Sequence, residues 1–203
     1  MSTITVFESV TLDGVMQGPG RADEDTRNGF AHGGWADGYQ DEVSMKYAGE
    51  GMSTGGGLLF GHRTYDDVLG YWTSVGSNPF VDVLVGSDKF IASRSADSEL
   101  PYPNSELLVG DAVSTVALLK NRYPRDLMIM GSGNLVRQLH AAGLIDRYTL
   151  LVHPIVLGAG TRLFPDGTRT DLKLERSIPT STGVIISEYS VRPVWINPTP
   201  AGA

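Results

Sequence analysis

Three short runs of this 203-residue chain gather the residue types that hold anions: "GHRT" at 61–64, "SRS" at 93–95 and "GSGN" at 131–134. Glycine lets a ligand approach the backbone, serine and threonine hydroxyls donate hydrogen bonds, and a guanidinium matches phosphate oxygens two at a time. Two of the runs sit between an apolar stretch and a helical pattern, in "LLFGHRTYDDVLGYW" and "LMIMGSGNLVRQLHAAGLID". A helix N-terminus has unpaired N–H groups and about half a positive charge, so an anion placed there is stabilised. Thr64 adds a cap hydroxyl to the first helix; Ser132 or Asn134 would cap the second, and Gly143 would stop it. Alone, each run reads equally well as a turn or loop with no ligand. Together they would suit a molecule with several phosphates, such as a dinucleotide carrying an extra 2′-phosphate, if a sheet brings Gly61, Arg63, Ser93, Arg94 and Gly131 to one edge.

Other chemistries fit less well. The dinucleotide fingerprint G-x-G-x-x-G fails at Val136, where a third glycine is needed, and no G-x-x-x-x-G-K-[ST] run occurs. "GMSTG" at 51–55 satisfies G-x-S-x-G with Ser53 as nucleophile. A nucleophile elbow follows a strand and opens a helix, whereas here a helical pattern precedes Ser53 and a strand follows, so a serine hydrolase remains a remote alternative. Among proton donors, Asp13 comes first and Asp41 second, although an Asp-Gly pair is more often a plain turn. His153 could orient a substrate, and Trp35 or Trp72 could stack on one, but core packing accounts for each at least as well.

The elements that must position these residues follow from periodicity. In "TITVFESV" at 3–10, Ile4 and Val6 alternate against Thr5, with Phe7 and Val10 blurring the pattern, a first strand that ends at the turn pair Asp13-Gly14. Residues 16–38 read as a long mobile loop rich in glycine and acids, and "YQDEVSMKYAGEGM" as a helix. Strands at "LLF", "DKFIAS", "ELLVG" and "LMIM" alternate with helices at "HRTYDDVLGYW", "DAVSTVALLKNRYP" and the segment after Gly131. "RYTLLVHPIVLG" is a strand buried on both faces, and "DLKLERSI" with "GVIISEYSVRP" a closing antiparallel pair. This order predicts an α/β layered domain with a mostly parallel sheet and an antiparallel C-terminal edge. The domain occupies 1–193, followed by a flexible tail over 194–203.

Composition sets outer bounds. A net charge of -7 and a pI near 5.0 argue against a nucleic-acid partner, which would need a basic stripe. The absence of cysteine excludes thiol nucleophiles and cysteine-ligated metals, and no metal site is expected. The longest apolar stretch, "YTLLVHPIVLG", is too short to span a bilayer and no secretory signal is visible, so a cytoplasmic protein with no membrane partner is expected.

Taken together, "SVTLDGVMQGP", "LLFGHRTYDDVLGYW", "KFIASRS" and "LMIMGSGNLVRQLHAAGLIDRYTLLVHPIVLGAGTRLFPDG" resemble the dihydrofolate-reductase-like family. That family includes the C-terminal reductase domain of the bifunctional riboflavin-biosynthesis deaminase-reductase. The resemblance implies a three-layer α/β sandwich, NADPH as cofactor, hydride transfer to a carbonyl or imine of a heterocycle or ribosylaminopyrimidine-like compound, and a homodimer. Carried over by position, the cofactor contacts are Gly61, Arg63 and Thr64, then Ser93 and Arg94, then Gly131, Ser132, Gly133, Asn134 and Leu135. Gly14 and Val15 would lie beside the nicotinamide, with Asp13 as the catalytic residue. Two departures stand out: His62 replaces an arginine, and the position of the folate reductases' helix carboxylate falls on Met45. Classical folate reduction is therefore not expected, and a nucleotide-binding or sensing module without turnover stays open as the alternative.

Overall fold

The computed structural model describes residues 1–53, 56–164, 166–167 and 169–192. The tail expected from 194 onward lies outside them, as do Thr54 and Gly55 of the "GMSTG" run. Fourteen elements are described. β1 (Ile4–Thr11) leads into a long loop with one 3-10 turn at Arg27–Gly29, then α1 (Glu42–Ser53), β2 (Gly57–Gly61), α2 (His62–Val75) and α3 (Pro79–Gly86). β3 (Lys89–Ser93), β4 (Ser105–Val109), α4 (Ala112–Arg122), β5 (Leu127–Met130) and α5 (Gly133–Ala141) follow. β6 (Arg147–His153), β7 (Leu172–Pro179) and β8 (Ile185–Val191) close the chain.

One eight-stranded sheet runs β4-β3-β2-β5-β1-β6-β8-β7. All neighbouring pairs from β4 to β6 are parallel; β8 on β6 and β7 on β8 are antiparallel, the anticipated C-terminal edge. Period-two alternation divides the core into two layers. Leu59, Phe90, Leu127 and Ile129 pack with Val116 and Leu119 of α4 and with Leu135, Val136 and Leu139 of α5. Their sequence neighbours Leu58, Phe60 and Ile91 turn to the other face, against Tyr65 and Leu69 of α2 and Leu84 of α3. The outermost strand, β7, is mostly exposed and carries Lys173, Glu175 and Arg176, charges that discourage edge-to-edge pairing.

Two expectations need correction. The strand expected to run through "HPIVLG" stops at His153, because Pro154 has no N–H for the ladder. α3 was not foreseen: Asn78 accepts hydrogen bonds from the N–H groups of Phe80 and Val81, and Pro79 opens the helix. Val81 and Leu84, three residues apart, are buried while Pro79, Asp82 and Gly86 are exposed, but the valines at 83 and 85 on either side of Leu84 blur that rhythm in the sequence. The loop over 16–38 is also anchored. The Gln17 amide donates to the carbonyls of Asp25 and Arg27 and accepts from Thr161 N, while Trp35 Nε1 donates to the Gln17 carbonyl at 2.7 Å. Among the described residues, no helix is long and apolar enough to cross a membrane.

Candidate active site

β3, β2, β5 and β1 are adjacent and parallel, so their C-terminal ends share one edge of the sheet. The chain leaves β1 toward β2, β3 and β4, then returns through β5 and crosses to β6 on the far side of β1. Such a reversal opens a crevice above the strand ends, where ligands of open α/β sheets bind. The crevice here is a cleft of about 960 Å³, within the usual size range for ligand sites. Gly61, Arg63, Thr64, Ser93, Arg94 and all of Gly131 to Leu135 line it, ten of the twelve positions expected to touch a cofactor. From Ser93 on β3 to β1 there are three strand spacings, about 14 Å.

The local backbone explains the cleft's shape. Gly131 and Ser132 both adopt left-handed conformations, with φ of 64° and 66°. The turn is tight: a Cβ on Gly131 would lie 3.0 Å from Thr64 Cγ2, and one on Gly133 would lie 2.6 Å from Met16 Sδ. Ser132 does not cap α5 as expected. Its hydroxyl instead accepts the Gly61 N–H at 2.8 Å, joining the two glycine turns above the last β2–β5 ladder pair, Leu59 with Ile129. Thr64 does not cap α2 either; Gly61 holds that cap position with no side-chain bond. Neither helix has a side-chain cap, which leaves the N–H groups of their first turns available to a ligand.

Charge is distributed to match. Arg63 and Arg94 are exposed at the cleft and make no ion pair or hydrogen bond with their side chains among the described residues. Arg137 of α5 also lines it and reaches the Arg162 carbonyl at 3.4 Å. Ser93 is less free: its hydroxyl pairs with Ser98 Oγ at 2.7 Å and accepts the Ser95 N–H. Leu135, 5% exposed, contributes apolar floor rather than a polar contact. His62 is held by Asp66 at 3.1 Å and by the Glu99 carbonyl at 3.2 Å.

The turn over 13–15 lies outside the cleft lining, where Met16 and Gln17 take its place. Asp13 accepts from Thr11 Oγ1 at 2.6 Å, Leu157 N at 3.2 Å and Gly158 N at 2.8 Å. The Thr11 hydroxyl foremost, with the two amides, lowers its pKa to about 2. A carboxylate so held is a brace between β1 and the segment after β6, and its lowered pKa disfavours the protonated form that a donor needs. Gly14, at φ 79°, completes the turn, and Val15 is fully buried beside Phe30 and Trp35. Asp41 is likewise structural, accepting from Ser44 N and from Ser181 N and Oγ.

The aromatic candidates pack against the protein's own rings. Trp72 packs on Phe80 with ring centres 4.6 Å apart. Trp35 and Tyr39 meet the His153 ring edge-on at 5.1 and 5.3 Å. His153 is 4% exposed, and burial pushes its pKa down to about 4, so the ring is neutral. Ser53 is the last residue of α1 and precedes β2, the reverse of a nucleophile elbow, which removes the hydrolase alternative.

One cleft residue had not been singled out. Glu8, in the middle of β1, is 5% exposed, and its Oε2 has no hydrogen-bond partner. Burial, reinforced by the nearby Glu24 carboxylate and opposed by the backbone amides of Gly131 and Ser9, raises its pKa to about 8. The signal was present in the alternation: Ile4, Val6, Glu8 and Val10 share the face that packs into the core, and an acid in that row is out of pattern.

The strand order, the crevice at its reversal point and the glycine turns beneath two uncapped helices define an α/β domain of the dihydrofolate-reductase-like type. The chain belongs to the RibD C-terminal domain family, whose model matches residues 2–186. Among curated proteins, the uncharacterised protein YyaP of Bacillus subtilis (strain 168) is 26% identical over 139 residues, 65% of this chain and 72% of that protein. A putative riboflavin biosynthesis protein from Shewanella sp. PV-4 superposes with a TM-score of 0.64 at 20% identity, covering 94% of this chain and 99% of that one. Dihydrofolate reductase from Enterococcus faecalis, solved as a complex with NADP(H), gives a TM-score of 0.58 at 11% identity, covering 94% and 97%. At such identities the likeness is one of fold.

Proposed function

We propose that the protein is an NADPH-dependent reductase that delivers a hydride to a carbonyl or imine of a small heterocyclic or ribosylaminopyrimidine-like substrate. The observation that carries this reading is the alignment along one sheet edge of an uncapped glycine turn and two guanidiniums that make no ion pair or hydrogen bond among the described residues. Arg63 and Arg94 suit a 2′-phosphate, and the first turn of α5 suits a diphosphate. An extended dinucleotide gripped there reaches toward β1. The residues fit this cofactor, since side chains at Gly131 and Gly133 would fill the cradle. When bound, NADPH supplies the hydride. The protein's own groups hold the phosphates, orient the ring and exclude water. Family membership and the NADP(H) complex of the Enterococcus faecalis enzyme support the same reading.

Titration with NADPH and NADH, followed by nicotinamide fluorescence, tests it. Arg63→Ala and Arg94→Ala should each weaken NADPH by about 10- to 100-fold, the loss of a charge-assisted contact, and leave NADH within about threefold. Equal losses for both would overturn the 2′-phosphate assignment. No binding of either would overturn the whole reading.

A further inference from the structure

Glu8 stands where a reductase would need an acid, and the backbone amides of Gly131 and Ser9 account for only part of its carboxyl. It occupies a core-facing position of β1 between Val6 and Val10, lines the cleft beside Gly131, and leaves Oε2 buried without a partner. An unsatisfied buried polar atom costs stability, typically about 1–3 kcal/mol, and is retained at sites where a ligand supplies the missing partner. We propose that Glu8 is the catalytic acid of this site, and that the acceptor is a C=N or C=O compound whose heteroatom takes the Glu8 proton as the adjacent carbon takes the hydride. This rests on the reductase reading above.

Position along the sheet supports the assignment. Arg94 follows β3, Arg63 follows β2, the Gly131 turn follows β5 and Glu8 lies on β1, so the strands present these groups in one order along the edge. A dinucleotide with its phosphates on the first three extends its far end toward Glu8. The step balances simply. The substrate carbon gains a hydride from reduced nicotinamide, the π pair moves to nitrogen or oxygen, and that atom forms its new bond to hydrogen as the Glu8 O–H bond breaks. Oxidised nicotinamide and a Glu8 carboxylate remain, and solvent returns the proton.

The alternative role of Glu8, as an anion complementing the N-terminus of α5, requires an ionised side chain. The surroundings disfavour that form. Burial dominates and Glu24, in the loop after β1, adds like-charge repulsion. The other charged or titratable groups around the cleft are Asp23, Asp25 and Arg27 on that loop, and His62, Arg63 and Asp67 on α2. Arg94 beyond β3 and Arg137 on α5 complete the set. A diphosphate bound at Gly131 would add further negative charge and hold the acid protonated.

Two measurements decide the matter. In the free protein, infrared difference spectra between wild type and Glu8→Gln should contain the carbonyl stretch of a protonated carboxyl at pH 7 that disappears as the pH is raised past about 8. An ionised Glu8 at pH 7 overturns the proposal. In single-turnover oxidation of bound NADPH with a dihydropteridine, a ribosylaminopyrimidine or pyridine carboxaldehyde as acceptor, Glu8→Gln should be about 100-fold slower or more, with NADPH affinity changed less than threefold. The wild-type rate should fall tenfold per pH unit above about 8, and the variant should lack that limb. An unchanged rate in Glu8→Gln, or a loss confined to NADPH affinity, overturns the catalytic role while leaving the reductase reading intact. Binding of NADPH with no oxidation by wild type for any acceptor overturns the reductase reading itself and favours a sensing module.

Discussion

If Glu8 is neutral in the folded protein, the protein's stability must carry a pH dependence that Glu8→Gln removes. In the unfolded chain the carboxyl has its ordinary pKa of 4.5, and in the fold it is raised to about 8. Between those values the folded state keeps a proton that the unfolded state has released, so stability falls as pH rises from about 4.5 to about 8 and is level above. At about 1.4 kcal/mol per pKa unit the full loss would be about 5 kcal/mol. Water entering the cleft reduces that to roughly 2–4 kcal/mol, and in a chain of this size each kcal/mol moves Tm by about 2–4 °C. Thermal melts of wild type and Glu8→Gln at pH 5, 7 and 9 are the assay. The wild type should lose about 5–15 °C more than the variant across that range. His153, held neutral with a pKa near 4, gives the opposite slope below its ordinary 6.5, but it is present in both proteins and cancels in the difference. Parallel curves would show that Glu8 is ionised in the fold and refute the reasoning.

Two further outcomes follow from the geometry. Asp13→Asn presents an amide N–H to donors that need an acceptor, so it should lower Tm by several degrees, about 1–2 kcal/mol, while leaving the pH profile of NADPH oxidation unchanged. A loss of turnover without a loss of stability would restore Asp13 as a catalytic residue. Gly133→Ala drives a methyl group into Met16 at the cleft wall and should weaken NADPH about tenfold, measured by nicotinamide fluorescence, with Tm within a few degrees of wild type; global unfolding instead would show that the turn holds the fold rather than the ligand.

Much of the fold was legible because local pattern and tertiary role agree. The alternation of Leu58, Leu59 and Phe60 distributes side chains to both helical layers, and the glycines at 61 and 131 mark the strand-to-helix turns. The cleft was legible for the same reason: arginine, hydroxyl and glycine at strand ends have few other uses in that combination. What failed was inference from a residue type without knowledge of its neighbours. Asp13 was a candidate because the family resemblance sets its turn beside the nicotinamide; the approach of Leu157 and Gly158, far along the chain, makes it a brace. Ser132 looked like a cap until its left-handed backbone aimed the hydroxyl across to β2. α3 escaped because the valines at 83 and 85 flank Leu84, so the buried stripe of Val81 and Leu84 does not stand out in so short a run. Glu8 was visible as a break in the β1 alternation, yet an isolated acid in a strand carries no motif to draw attention to it.

The Ser132 hydroxyl has a mechanical consequence. Past Leu59 and Ile129, β2 and β5 part company, and the cleft begins where their seam ends. A split of this kind under load propagates from its root. The bond from Ser132 to Gly61 sits just beyond that root, so a molecule forced into the opening strains that hydroxyl before it can unzip the ladder. A hydroxyl thus ties the two sides of the mouth, and Ser132→Ala offers a way to loosen it without touching either arginine.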